Sequence, residues 1–123
     1  MNGKVKNTIG IGGKTSPKEA GAKESAAASQ LLALLESRYA MRVLWALRDG
    51  HAQTFRLLQD SVGGITPNTL NTRLKELRAA GLLHHDNDGY LLTATGLELS
   101  RRLAEVTAYA PKLSASQGRA KPR

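Results

Sequence analysis

The stretch from Ile65 to Leu83, ITPNTLNTRLKELRAAGLL, constrains this chain more than any other. Thr66 is placed to cap a helix and Pro67 to begin it, because first-turn amides have no partner inside a helix and proline's missing donor is no loss there. Leu70, Leu74 and Leu77 recur at helical spacing, and Gly81 supplies the left-handed residue that closes the run. On a 3.6-residue wheel the face opposite the leucines holds Asn68, Thr72 and Lys75, with Asn71 at its edge. Amides, a hydroxyl and a cation with no acid among them are the chemistry of a helix that reads base edges and phosphates. The ordinary alternative is a solvated face, and the neighbouring elements decide between the two.

Upstream, Thr54 can cap a short helix through Phe55, Leu57 and Leu58 to about Ser61, and Val62-Gly63-Gly64-Ile65 forms a turn with two residues free to take positive φ. Helix, glycine turn and capped helix with a polar outer face make the helix-turn-helix pattern. Downstream, Leu82–His85 and Tyr90–Thr93 are strand-like runs joined by Asp86-Asn87-Asp88-Gly89, a strong turn sequence. A hairpin directly after the candidate recognition helix makes a winged helix.

Two further helices precede this unit. Glu24 onwards, ESAAASQLLALLE, is rich in helix formers, with Leu31, Leu32, Leu34 and Leu35 on a broad apolar face. The next helix is expected from about Arg38 to Asp49, stopped by Gly50 and burying Ala40, Val43, Leu44 and Leu47. Tyr39, Met41 and Trp45 add apolar bulk off that stripe, and for Trp45 packing in the core or between subunits is favoured over ligand stacking. After the hairpin, Thr93 caps a last amphipathic helix bearing Leu99, Leu103, Val106 and Tyr109, and Pro111 marks its end. The first and last helices carry more apolar surface than a small core plus hairpin can cover, which predicts a dimer interface through Leu31, Leu34, Leu35, Leu99, Leu103, Val106 and Tyr109.

Charge is unevenly placed. The net charge is +8 with a pI near 10.2. Residues 1–23 hold five lysines against Glu19, and residues 111–123 hold Lys112, Arg119, Lys121 and Arg123 with no acid. Between them nine basic residues face nine acidic ones, so the pI belongs to the ends. The expected organisation is a disordered basic tail over 1–23, a winged helix-turn-helix domain over 24–110 and a disordered basic tail over 111–123. Such tails serve as solubilising termini or add non-specific, salt-sensitive affinity for a nucleic acid.

The ordered set of motifs resembles the HxlR-type winged helix-turn-helix regulators, a branch close to MarR-type proteins, over about Ala26 to Tyr109. Ser37-Arg38-Tyr39 stands where that family usually has Gly-Lys-Trp. Phe55 and Leu58, the Ile65–Leu83 stretch, Tyr90-Leu91-Leu92-Thr93, Gly96 and Leu99 match the family's succession of motifs. The resemblance implies a mainly α fold with a small β-hairpin and a homodimer joined through N- and C-terminal dimerisation helices. It also implies transcriptional regulation through two recognition helices, over 67–80, in successive major grooves of double-stranded DNA. Carried over residue by residue, the readout positions are Asn68, Thr69, Asn71, Thr72, Arg73 and Lys75, preceded by the cap Thr66. Amides suit adenine, which offers a donor and an acceptor to one planar group. Arg73 lies beside the leucine stripe, fit for a phosphate contact or an intradomain ion pair.

Three departures limit that inheritance. The hairpin is shorter than the usual family wing, and its tip carries Asp86 and Asp88 where the family usually offers a base. Some members sense oxidants or electrophiles through a cysteine near the first helix; Ala26 stands near that position, and the chain has no cysteine, which excludes thiol sensing, thiolate metal sites and disulfides. His84 and His85 point to opposite faces of a strand and share the chain with only His51, so no metal site is expected. No phosphate-cradling loop or nucleophile elbow is present, so neither enzyme activity nor a cofactor is expected. With no apolar run near the roughly 20 residues of a membrane span, the expectation is a cytoplasmic, nucleoid-associated bacterial or archaeal protein without a membrane partner. Two other readings stay open: a winged helix used for protein interaction, which the neutral domain and acidic tip favour, and non-specific nucleic-acid binding by the tails. No residue set argues for a particular small-molecule effector.

Overall fold

A computed structural model describes residues 17–120, with side chains described over 21–116. Two compact units emerge, ending and beginning at Leu35 and Glu36. Among the described residues the first consists of one long helix, α1 (Pro17–Glu36), which starts seven residues before the expected boundary at Glu24. Its Leu31 and Leu32 are exposed, while Leu34 and Leu35 are half-buried. The remainder of the expected N-terminal tail, 1–16, lies outside the described residues.

The second unit contains α2 (Ala40–Ala46), α3 (Phe55–Val62), α4 (Pro67–Ala79), β1 (Leu83–Asp86), β2 (Gly89–Leu92), α5 (Ala94–Thr107) and α6 (Ala110–Ala120). Its core follows from the leucine and valine spacing. Ala40, Val43 and Leu44 of α2 and Leu47 at its C-cap are fully buried, together with Leu58 of α3 and Leu70, Leu74 and Leu77 of α4. Burying a leucine side chain contributes roughly 1.5–3 kcal/mol, so this cluster outweighs any single cap or ion pair. α2 packs on α3 and α5, β1 on α4, and β2 on α5.

Three helices begin with threonine caps, each satisfying an otherwise orphaned amide. The Thr54, Thr66 and Thr93 side chains accept from the amides of Leu57, Thr69 and Gly96. α4 ends in a Schellman arrangement: the Gly81 amide donates to the Arg78 carbonyl at 2.9 Å and the Leu82 amide to that of Leu77 at 3.0 Å, with Gly81 at φ +79°. The chain then enters the antiparallel pair β1–β2, in the register Leu83↔Leu92 to Asp86↔Gly89. Asp86 Oδ1 accepts from the Asp88 amide at 2.8 Å, an Asx turn that closes the hairpin.

Besides the early start of α1, three features differ from expectation. α2 spans only Ala40–Ala46 where a helix from about Arg38 to Asp49 was expected, since Tyr39 is left-handed and Leu47 leaves helical geometry. Gln53, read as connection, forms an isolated bridge with Tyr90, its amide and carbonyl both bonding that residue at 2.9 and 2.7 Å. Gly89, at φ +128°, lies so close to this bridge that a Cβ would overlap the Gln53 carbonyl. The expected disordered tail from Pro111 is instead helical as far as Ala120. α5 stops at Thr107, and Pro111 stands in the first turn of α6, where its missing donor costs nothing. Among the described residues no helix is long and apolar enough to cross a membrane.

Candidate nucleic-acid interface

α4 turns its leucines inward, and four polar side chains remain on the other side. Asn68, Asn71, Thr72 and Lys75 are all exposed. The Thr72 hydroxyl donates to the Asn68 carbonyl at 3.0 Å, which leaves its oxygen lone pairs outward as acceptors. The other residues expected at this site have structural work. Thr66 caps the helix, and its hydroxyl also donates to Thr69 Oγ1 at 3.0 Å.

Arg73 departs furthest from a reading position. Its side chain is only 19% exposed and its Nη1 pairs with Glu76 Oε1 at 3.0 Å. Its Nε donates to the Arg38 carbonyl at 2.8 Å, across 35 residues of chain. Of the two roles open to Arg73 in the sequence, the folded chain adopts the intradomain ion pair and adds a tie to the loop before α2.

That loop was not legible as part of the site. Tyr39 is the non-glycine residue with positive φ among the described residues, at +79°, and its hydroxyl donates to the Gly64 carbonyl at 3.2 Å. A bulky residue in that conformation is costly and persists only where its surroundings hold it. Gln59 Nε2 donates to the Ile65 carbonyl at 3.0 Å, so the glycine turn is fastened from both sides. In the sequence Arg38 reads as a helix start and Tyr39 as apolar bulk beside that helix's buried stripe; nothing local signals a left-handed tyrosine.

The hairpin presents different chemistry. His84, His85, Asp86 and Asp88 are exposed, with His84 Nε2 at 3.9 Å from Asp86 Oδ2. The His85 ring stacks on that of Tyr90 at 4.0 Å between centroids and 4° between planes. No group of three metal-binding side chains occurs among the described residues. Two carboxyls are held below their usual range, both away from α4. Asp49 accepts from the His51 backbone amide, against partial desolvation, and Glu98 accepts from Arg101 beside Arg102.

The residues expected at a dimer interface are distributed between the two units. In the second, Leu99 and Leu103 are half-buried, while Val106 and Tyr109 are 62% and 64% exposed. Leu103 and Val106 join Met41, Trp45, Arg42, Ser100 and Thr107 around an apolar groove of about 250 Å³ between α2 and α5. Trp45 is held there under the Arg48 guanidinium, 3.9 Å from its ring centroid.

Helix, glycine turn, capped helix and paired hairpin in this order define a winged helix-turn-helix protein, a class built to bind DNA. The model of the HxlR-like helix-turn-helix family matches residues 34–117, more than half of the chain. The chain belongs to that family, whose members are transcriptional regulators rather than enzymes. Solved structures agree. A possible HxlR family transcriptional factor from Thermoplasma volcanium is 28% identical with a TM-score of 0.63, over 69% of this chain and 82% of its own. Quinone-bound YodB from B. subtilis is 25% identical with a TM-score of 0.65, over 71% and 98%. A MarR family protein from Mycobacterium tuberculosis, 21% identical with a TM-score of 0.57 over 85% and 84%, shares the fold. No curated protein matches the chain significantly.

Proposed function

We propose that the protein is a dimeric, sequence-specific regulator that sets α4 into the major groove of double-stranded DNA. The observation that carries this reading is the outer face of α4, where Asn68, Asn71, Thr72 and Lys75 are all exposed with no acid among them. Asn68 and Asn71 are suited to adenine edges, Thr72 to a base-edge donor, and Lys75 to guanine or phosphate. Thr66, Thr69 and Arg73 act mainly by fixing the helix that presents the others. Binding to duplexes selected from a random pool, with single alanine variants, tests the reading. Asn71→Ala and Thr72→Ala are each expected to cost roughly 1–3 kcal/mol at one position of the site. Unchanged specific affinity in both would sink the recognition-helix assignment.

The dimer rests on exposed apolar surface: Leu31 and Leu32 on α1, and Val106, Tyr109 and the Trp45–Leu103 groove in the second unit. Leu103→Glu is expected to shift the mass measured by light scattering toward monomer; an unchanged mass moves the interface elsewhere. Acting on operators places the protein in the cytoplasm, with the genome. The absence of cysteine rules out a thiol-based effector response. The exposed carboxylates of the hairpin tip favour a second reading, a winged helix that binds another protein. That reading predicts no preference among DNA sequences at any salt concentration.

A further inference from the structure

The loop before α2 offers what the hairpin lacks. Arg38, Tyr39 and Arg42 line one groove together with Val62, Gly63 and Gly64, the turn that leads directly into α4. Bonds tie this loop to the helix-turn-helix unit, among them Tyr39 Oη to the Gly64 carbonyl and Arg73 Nε to the Arg38 carbonyl. The second uses the Arg38 main chain, so the Arg38 guanidinium is not spent on it. That guanidinium instead lies over the Tyr39 ring, 4.8 Å from its centroid. Arg38 and Arg42 are both exposed, and neither has an acidic partner among the described residues. By contrast Arg73 is paired with Glu76, and Arg101 and Arg102 share Glu98. Gly63 and Gly64 leave open space on their part of the lining, where a Cβ at either would meet nothing within 4 Å. An open groove lined by two unneutralised guanidinium forks matches a bridging anion.

We propose that Arg38 and Arg42 form a phosphate clamp that grips the DNA backbone beside the base pairs read by α4. This rests on the reading of α4 as the recognition helix and adds the partner atoms that place it. Reading helices need such contacts: phosphate bonds set register and orientation, while base bonds carry sequence. α4 brings Lys75 as the cation of its reading face, the domain as a whole is neutral, and the hairpin tip is acidic. The clamp supplies the missing attraction at a fixed offset, because Arg38 lies in the loop bonded to Arg73 and Gly64, and Arg42 follows in the first turn of α2. Arginine suits the task better than lysine, since its planar fork engages two phosphate oxygens at once.

The test uses the full chain and the duplex it selects from a random pool, with affinities measured between low and physiological salt. Arg38→Ala and Arg42→Ala should each lower affinity on the order of ten-fold, and equally for the selected duplex and for single-base variants of it. Each should also flatten the slope of log affinity against log salt by about 0.9, the share of one phosphate. Arg38→Lys and Arg42→Lys should keep the slope while losing part of the affinity. A slope unchanged in both alanine variants overturns the clamp, and so does a loss confined to one base pair, which would make these residues base readers. If the pool yields no selected duplex, the recognition-helix reading fails and the clamp with it. If selection succeeds and Asn71→Ala alone weakens binding, the reading stands and the clamp falls. Because Arg38 binds Arg73 through its main chain, Arg38→Ala leaves that tie intact, and an unchanged unfolding midpoint separates lost contact from lost fold.

Discussion

The two ends of α4 are braced in the same way and charged in opposite ways. At the N-terminal half, Tyr39 and Arg73 tie the loop before α2 to the helix, and the cations beside those ties are unpaired. At the C-terminal end, the Gly81 turn and the Thr93 hydroxyl, which donates to the Gly81 carbonyl at 2.7 Å, lead into a hairpin whose exposed tip is Asp86 and Asp88. Mechanical attachment therefore does not distinguish them; charge does. A polyanion is drawn to the first and repelled by the second, by amounts that depend on salt. Under the proposal made above, the wing serves as a structural prop and the phosphate contact falls at the other end of α4.

The largest effect that could break this comparison lies in the prop. Gly89→Ala puts a Cβ into the Gln53 carbonyl at a φ that alanine avoids. It is expected to lower unfolding free energy by about 3 kcal/mol, seen as a lower midpoint in chemical denaturation. If midpoint and DNA preference were both untouched, the hairpin would not be fastened as described. Next comes the brace at the other end. Arg73→Ala removes two bonds to charged nitrogens and should cost roughly 1–3 kcal/mol of stability. It should also weaken binding to the selected duplex without altering which bases are preferred; altered preference at one base pair would return Arg73 to the reading face.

Smaller is the effect of the tip. Asp86→Asn with Asp88→Asn keeps the Asx-turn acceptor and removes two negative charges, so affinity should rise roughly three-fold at low salt and hardly at high salt. A loss of affinity would mean that the carboxylates make contacts of their own and that the wing is no mere prop. Smallest is Tyr39→Phe. Losing one partly exposed hydrogen bond should cost about 0.5–1 kcal/mol in denaturation, and a zero effect would leave Arg73 as the sole effective tie.

Much of this architecture was legible because its causes are local. Thr54, Thr66 and Thr93 cap their helices as their spacing predicts, Gly81 ends α4, and Ala40, Val43, Leu44 and Leu47 form the buried stripe of α2. Asn68, Asn71, Thr72 and Lys75 stand outward for the same reason: inward leucines determine where every other residue of a helix points. Where the sequence allowed two outcomes, as for Arg73, or gave a misleading stop signal, as at Pro111, the helix wheel and proline statistics could not choose. A proline that ends one helix is equally at home in the first turn of the next.

The sequence by itself determined the elements, their order, and the polar outer face of α4, since these follow from caps, turn residues and periodicities within a few positions. Only the tertiary structure decided which polar residues remain free. The bonds that remove Arg73 from the surface and hold Tyr39 left-handed span 35 and 25 residues. Their partners are main-chain carbonyls, which every residue owns and no sequence pattern marks. The arginines left unpaired beside those bonds became visible only once packing had brought the loop before α2 against the turn that opens α4.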